Sequence, residues 1–584
     1  MKNRQLTPIS DETLGANARR LVILIPGMGS DHKSWKVLVK RLQQETGYRP
    51  DEAQWMSFDH GIHVLSPGPI RPLLLRDPHQ AGNLESLTLA LRNLIDGQWA
   101  EHKLKTGKDY EDVVLIGHSF GGLIARRVYL LAADAVPRQN PSPWGERVSR
   151  IVLFAAVNRG FNLKRLNWFL NMGAWLARIS SRRIFYMEDV LLGSDFVTNL
   201  RIDWIRHFSA LSGQWPVDTT EAGGQRTRIP LVVQLLGDED GILSREDSKD
   251  VLAFTNSHYI EIASATHGNL YRLEPTYAPD PDARYAVLRE AFVGDPQKMR
   301  TGIALRPSPS PYKRVVMILH GIRASNVDAW IDGLKSKLKA KDSLETHVVT
   351  PTYGYFSALR FALPFVRRRN IPIFRDEYTE QLAKNPQAEF NIIAHSNGSY
   401  MLGWSLERTP GMRFQNIVLA GSALPPEQDW DTLMQPDARG NRQVGRVLNE
   451  RANHDIPIGI LCSALRGIGM RDIGPAGFSG FVNASTFEVA YHPGGHGDAL
   501  IPKNQDRLID FVLGGNPPEP SWLLEKPFLF GGLSRAAPYL IWLILIGLLG
   551  LVYGIAFPGR MFNRKHTSRL LAGFLAVLTA LDSL

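Results

Sequence analysis

Serine, histidine and aspartate occur in this chain in an arrangement that nucleophilic catalysis can use. Ser119 stands in Gly117-His118-Ser119-Phe120-Gly121-Gly122, directly after the apolar run Val113 to Ile116 and directly before Leu123 to Tyr129. That order predicts a strand, a sharp turn and a helix. A serine at such a turn is held in strained backbone geometry, and small residues two positions to either side let the chain double back. Gly117 and Gly121 fill both places. The helix that follows aims its N-terminal amides at the point where an attacked carbonyl oxygen gathers negative charge. A serine hydroxyl is a weak nucleophile at neutral pH, so it needs an imidazole base, and the imidazole needs a carboxylate to fix its tautomer. Downstream lie Gly237-Asp238-Glu239-Asp240-Gly241 and Ala265-Thr266-His267-Gly268-Asn269, so nucleophile, acid and base follow in that order. Asp240 is preferred to Asp238 as the acid because it lies deeper in the turn, while Asp238 is expected to face solvent.

A second set lies further on. Ser396 stands in Ala394-His395-Ser396-Asn397-Gly398, with alanine where glycine is more usual and Gly398 in the expected place. His496, in Gly494-Gly495-His496-Gly497-Asp498, is a better base than His492, which Pro493 follows. The residues alone leave two acids open: Asp455, which ends the segment Val447 to Asp455, and Asp472, which follows the apolar run Ile456 to Leu465.

Strands and helices must position these groups. Leu21 to Ile25 reads as a buried strand that stops at Pro26-Gly27-Met28-Gly29, a turn placing backbone amides at a strand end. Helical spacing follows over Trp35 to Leu42 and Leu84 to Trp99, and strand-like runs return at Arg150 to Ala156 and Ile229 to Leu236. Alternation of this kind predicts a parallel sheet. Between the last two strands an insert, residues 158–228, is rich in aromatics and arginine, among them Phe161, Trp168, Trp175, Arg182 and Arg183. It is placed to cap the nucleophile, either as a lid shaping an apolar acyl pocket or as a helical subdomain serving stability alone. Val315 to Ile322, Asn391 to Gly398 and Asn416 to Gly421 then repeat the earlier strand, elbow and strand in order, as a duplication would. The expected organisation is one domain over 1–300, a Pro-rich linker over 301–312 and a second domain over 313–520.

Both halves resemble the alpha/beta-hydrolase fold, with motifs similar to its lipase and carboxylesterase branch; the likeness covers most of residues 18 to 515. The resemblance implies two tandem domains of doubly wound, mainly parallel sheet and hydrolysis of carboxylic esters. It also implies an oxyanion hole made by the amide after each nucleophile and one from the earlier loop. Those amides belong to Phe120 and Met28 in the first half and to Asn397 and Ile322 in the second. The second half is also similar to bacterial lipase-like hydrolases with a His-Ser-Asn-Gly elbow and an Asp placed like Asp455, which selects Asp455 over Asp472. The expected catalytic sets are Ser119, Asp240 and His267, and Ser396, Asp455 and His496, with no cofactor and no metal. Thioesterase, peptidase and non-catalytic scaffold functions share this fold.

The chain has 584 residues, 44% hydrophobic and 21% charged, with a net charge of +10 and a single cysteine, Cys462. An intramolecular disulfide is excluded, and no nucleic-acid motif accompanies the basic balance. The N-terminus lacks an apolar core long enough for a secretory signal. Pro538 to Phe557 is uncharged and close to the roughly 20 residues needed to cross a bilayer, with Arg560, Arg564, Lys565 and Arg569 beyond it. The apolar run Leu570 to Leu581 in the remaining 558–584 is short for a span. A membrane-attached protein with its catalytic part in the cytoplasm is expected. The partners expected are a small-molecule or lipid ester and the membrane; oligomeric state is open. The aromatic, arginine-rich stretches Trp168 to Phe185 and Phe356 to Arg369 are expected to suit an anionic lipid surface.

Overall fold

The computed structural model describes residues 4–9, 18–27, 30, 32–60, 84–133, 135–136, 140–161, 189–211, 229–243, 257–295, 298–299, 312–322, 329–354, 358–437, 440–482, 485–516 and 522–556. They fall into two compact units, Met1–Pro309 with Thr379–Pro386, and Ser310–Tyr378 with Gln387–Leu584. Met28, nearly all of the linker and most of the cap insert lie outside the described residues. Of that insert the structure describes the helix Asp195–Leu211 and short flanking pieces.

The first unit holds a seven-stranded sheet. Its strands are β1 (Gln5–Pro8), β2 (Arg20–Ile25), β3 (Ala53–Asp59), β4 (Asp112–His118), β5 (Val148–Phe154), β6 (Leu231–Gly237) and β7 (Ser257–Ile262). The order across the sheet is β1-β3-β2-β4-β5-β6-β7. Only β1 runs antiparallel to its neighbour. Parallel strands covered on both faces need continuous apolar runs, and β4 and β6 are buried at every residue.

The second unit holds six parallel strands: β8 (Arg314–Leu319), β9 (Thr346–Val349), β10 (Glu389–His395), β11 (Phe414–Ala420), β12 (Val444–Ala452) and β13 (Phe487–His492). Their order, β13-β12-β11-β10-β8-β9, repeats β7-β6-β5-β4-β2-β3 of the first sheet strand for strand. Val316, Ile318, Ile393, Val418 and Leu448 join Leu334, Leu338 and Leu508 from helices in one buried core. In both sheets the chain reverses its direction of winding where the first of these strands meets the elbow strand, β2 beside β4 and β8 beside β10. Open α/β sheets bind ligands beyond the strand ends at such a switch point.

The C-terminal helix runs Phe528–Ala556, so it starts well before the expected Pro538, which lies inside it. Proline removes one intrahelical hydrogen bond and crowds the preceding turn. Here it packs against Gly467, whose missing Cβ would lie 2.5 Å from Pro538 Cα, and Trp542 Nε1 donates to Gly467 O at 3.0 Å. The helix is long and apolar enough to cross a membrane. Leu570 to Leu581 lies outside the described residues.

Candidate active site

Ser119 takes φ 53° and ψ −121° at the junction of β4 and the helix Phe120–Ala132, a region non-glycine residues rarely occupy. The turn closes because its neighbours are bare. A Cβ on Gly117 would lie 2.6 Å from Gly122 Cα, and one on Gly121 would lie 2.3 Å from Ile25 O. The Ser119 amide donates to Phe154 O at 2.8 Å, fastening the elbow to the end of β5. As the first residue of the helix, Phe120 has an amide with no intrahelical acceptor.

Asp240 and His267 stand on the turns after β6 and β7. A Cβ on Gly237 would fall 2.0 Å from Ala265 O, so glycine lets the acid turn lie against the histidine loop. His267 Nδ1 donates to Asp240 Oδ2 at 2.9 Å. Ser119 Oγ donates to His267 Nε2, also at 2.9 Å. Asp240 Oδ1 accepts from the amides of Ile242 and Leu243 at 2.8 and 2.9 Å. Burial pushes the Asp240 carboxyl up, but the hydrogen bond and charge of His267 and those two amides outweigh it and hold the group below the usual aspartate range. Asp238 faces solvent and accepts from Ala265 N at 3.1 Å, so it does not meet the histidine.

His118, which the sequence places in the motif without a role, is a further member. Its Nε2 donates to His267 O at 2.9 Å, which leaves Nδ1 as a bare lone pair. Burial, then the charge of His267, pushes the His118 pKa down to about 3, so the ring is neutral. Trp35 stacks on Tyr271 at 3.8 Å, and both rings flank His118.

The second unit repeats most of this. Ser396 takes φ 52° and ψ −119° at the start of the helix Asn397–Arg408, and its amide donates to Ala420 O at 3.1 Å. His496 Nδ1 lies 2.9 Å from both oxygens of Asp455. His395 Nε2 donates to His496 O at 3.3 Å, and burial pushes its pKa down to about 3. The last link differs. His496 Nε2 is buried with no hydrogen-bond partner among the described residues, so Ser396 is not bonded to it. His492 Nε2 instead donates to Glu450 Oε2 at 2.7 Å, and Arg507 bonds the other oxygen of that carboxylate. Tyr353, signalled by no motif, donates to His320 O at 2.6 Å and accepts from Asn397 Nδ2 at 3.1 Å, tying the loop before Ile322 to the elbow.

Asp472 is used elsewhere. Its carboxylate accepts from Arg367 at 2.5 Å, and from Arg368 and Tyr400 at 3.0 Å each. Of the arginines in the stretch Phe356 to Arg369, Arg367 is thereby fully buried, whereas Arg360, Arg368 and Arg369 stay exposed, Arg368 lying over the Trp404 ring at 4.1 Å. A buried guanidinium has to be paired, because an uncompensated charge inside a protein is strongly destabilising.

A parallel sheet with a strained serine elbow at its switch point, and a histidine and an acid delivered by later strands, defines a fold of the alpha/beta-hydrolase type. Residues 22–286 match the model of the alpha/beta hydrolase family. No curated protein matches the chain. Among solved structures, a lipase-esterase related protein from Clostridium acetobutylicum is similar at 11% identity, covering 50% of this chain and 99% of its own, with a TM-score of 0.29. An esterase from Pyrococcus furiosus is similar at 13% identity over 47% of this chain and 81% of its own, TM-score 0.28. Carboxyl esterase 2 from Tuber melanosporum is similar at 16% identity over 48% and 79%, TM-score 0.29.

Proposed function

We propose that the protein is a membrane-attached serine hydrolase of carboxylic esters, built from two tandem hydrolase domains, with Ser119, His267 and Asp240 as its principal triad. The observation that carries this reading is the continuous pair of 2.9 Å hydrogen bonds from Ser119 through His267 to Asp240. In the reaction Ser119 Oγ attacks the ester carbonyl while His267 Nε2 takes its proton, and the negative Asp240 stabilises the imidazolium. The amide of Phe120, joined by that of Met28, stabilises the oxyanion. His267 then returns the proton to the leaving alkoxide, and water attacks the acyl-enzyme with the same histidine as base. Ser396, His496 and Asp455 form the second, conditional site, with the amides of Asn397 and Ile322 as its oxyanion donors. The helix Phe528–Ala556 supplies the attachment.

A fluorophosphonate probe reacts only with an activated serine, so labelling of the full chain followed by peptide mapping tests the assignment. Label is expected on Ser119 and lost in Ser119→Ala. An unlabelled wild-type chain would favour the alternative of a membrane-anchored scaffold on inactive hydrolase folds.

A further inference from the structure

A cavity of about 260 Å³ opens in the second unit between the start of the helix Phe528–Ala556 and the segment 463–479. We propose that it binds the phosphate of an anionic membrane phospholipid, held by Lys526 and Arg535; the inference rests on the membrane attachment proposed above.

Among the described residues three cations line the cavity, Arg466, Lys526 and Arg535, and no acid does. Arg466 is already engaged, with both oxygens of Glu427 at 2.8 and 2.9 Å. Lys526 and Arg535 make no ion pair among the described residues. Lys526 lies 5.5 Å from the centre of the Phe478 ring. Burial, then the charges of Arg535 and Arg451, pushes its ammonium below the usual lysine value, as desolvation and like charges do. At the cavity wall Ser463 and Ser534 share a 3.3 Å hydrogen bond in which either hydroxyl can donate, so one can turn towards a further oxygen. Two cations and a hydroxyl suit a phosphodiester.

Depth in the bilayer points to a lipid rather than a dissolved anion. Arg535 is the last charged residue before the uncharged stretch Ala536 to Ala556. At 1.5 Å per residue that stretch spans about 30 Å, the thickness of the hydrocarbon core. With Ala536 to Ala556 as the span, Arg535 falls at headgroup level, where anionic phosphates stand. Tyr539 and Leu543, 74% and 65% exposed, continue along the helix beside the path that acyl chains would take. The same helix also touches the element carrying the second acid. A Cβ on Gly459, in the turn Pro457–Cys462 that follows Asp455, would lie 2.7 Å from the Phe530 ring. A bound lipid would stand against the support of Asp455.

The test uses the full chain. An alkaline carbonate wash of membranes first asks whether the protein is integral; its release would overturn the membrane reading and with it this site. Protein retained through the wash is extracted in detergent, and native mass spectrometry with thermal unfolding follows added phosphatidylglycerol, phosphatidylcholine or inorganic phosphate. Phosphatidylglycerol is expected to stay bound and raise the melting temperature, with at least tenfold weaker retention by the double variant Lys526→Gln/Arg535→Gln. Lys339→Gln, an exposed cation elsewhere in the unit, should change nothing. Equal retention of phosphatidylglycerol by the double variant, equal binding of phosphatidylcholine, or equal protection by inorganic phosphate would each overturn the proposal while leaving membrane attachment standing.

Discussion

Ser119 and Ser396 stand on nearly superimposable backbones, φ 53° and ψ −121° against φ 52° and ψ −119°, yet only Ser119 is bonded to its histidine. The elbow's strain is therefore not what separates the two sites. The difference lies one strand further on. Each serine amide donates to the last residue of the neighbouring strand, Phe154 or Ala420, so Ala155 and Gly421 correspond. Both have positive φ, 42° and 51°. At Gly421 a Cβ would fall 2.8 Å from His496 Cε1 and Nδ1. The His496 ring thus occupies space that a methyl group claims in the first site. It also lies nearer its elbow histidine, 4.6 Å between ring centres against 5.6 Å. The residue beside the histidine, Ala155 or Gly421, therefore differs between the two sites where the backbone of the serine turn does not.

The hardest test of this asymmetry compares the two serines directly. Ser119→Ala is expected to lower ester turnover by about 10⁴-fold or more, as removal of a triad nucleophile does, whereas Ser396→Ala should leave more than half of it. Steady-state hydrolysis of a short-chain nitrophenyl ester would measure both. Equal losses would mean that the open link in the second site closes in solution, and the contrast drawn above would fall.

The two aspartates of the second unit come next in size, because they separate chemistry from folding. Asp472→Asn leaves the buried Arg367 without its carboxylate and should cost about 3 kcal/mol of stability, read as a fall in the melting temperature. Asp455→Asn should cost less stability and abolish whatever labelling Ser396 shows in the Ser119→Ala background. The reverse pattern would return the acid role to Asp472.

Much of this arrangement was legible in the sequence, and the gaps have physical causes. Continuous apolar runs mark β2, β4, β5, β8, β10 and β11, and glycine or alanine at fixed distances from a serine marks each turn, because those features are local. Asp238 and Asp240 differ only in how far the chain has turned after Gly237, yet that separates solvent from the histidine. The histidine before each serine was visible as a repeated residue, but its role depends on a carbonyl about a hundred or more positions away. Arg367 shows the opposite failure. A run of arginines near aromatics looks like a surface until a distant acid, Asp472, draws one of them inside. The early start of the C-terminal helix escaped because proline ordinarily marks a helix start, and Gly467, far away in sequence, makes room for one in the interior.

Exchange of the residue beside the base should move each site towards the other. In the Ser119→Ala background, Gly421→Ala keeps a positive φ that Ala155 already tolerates and forces the His496 ring to shift. We expect about tenfold faster fluorophosphonate labelling of Ser396, since small displacements of a base change rates by that order or more. Ala155→Gly in the wild-type chain should slow Ser119 by a similar factor. Unchanged or slower labelling of Ser396 would show that Gly421 is not what holds the relay open.

The smallest expected effect concerns what the two sites share. His118 and His395 are each held to a pKa of about 3, chiefly by burial, while an unfolded histidine titrates near 6.5. Between those values the unfolded chain binds a proton that the folded chain refuses. The stability associated with a neutral ring is therefore complete above about pH 6.5 and is lost as pH falls towards 3. At pH 6 the loss is slightly under about 1 kcal/mol for each histidine, from the two pKa values and the linkage relation. His118→Gln can still donate to the carbonyl of His267 but cannot titrate. Its melting temperature should fall less between pH 8 and pH 6 than that of the wild type, with ester turnover at pH 8 kept within a few fold. His395→Gln should flatten the same profile, because its ring sits in the same relation to His496. If only one of the two variants flattens it, the elbows differ in more than the residue at 155 and 421, and the first site's closed relay would depend on His118 in a way that the second site's does not depend on His395.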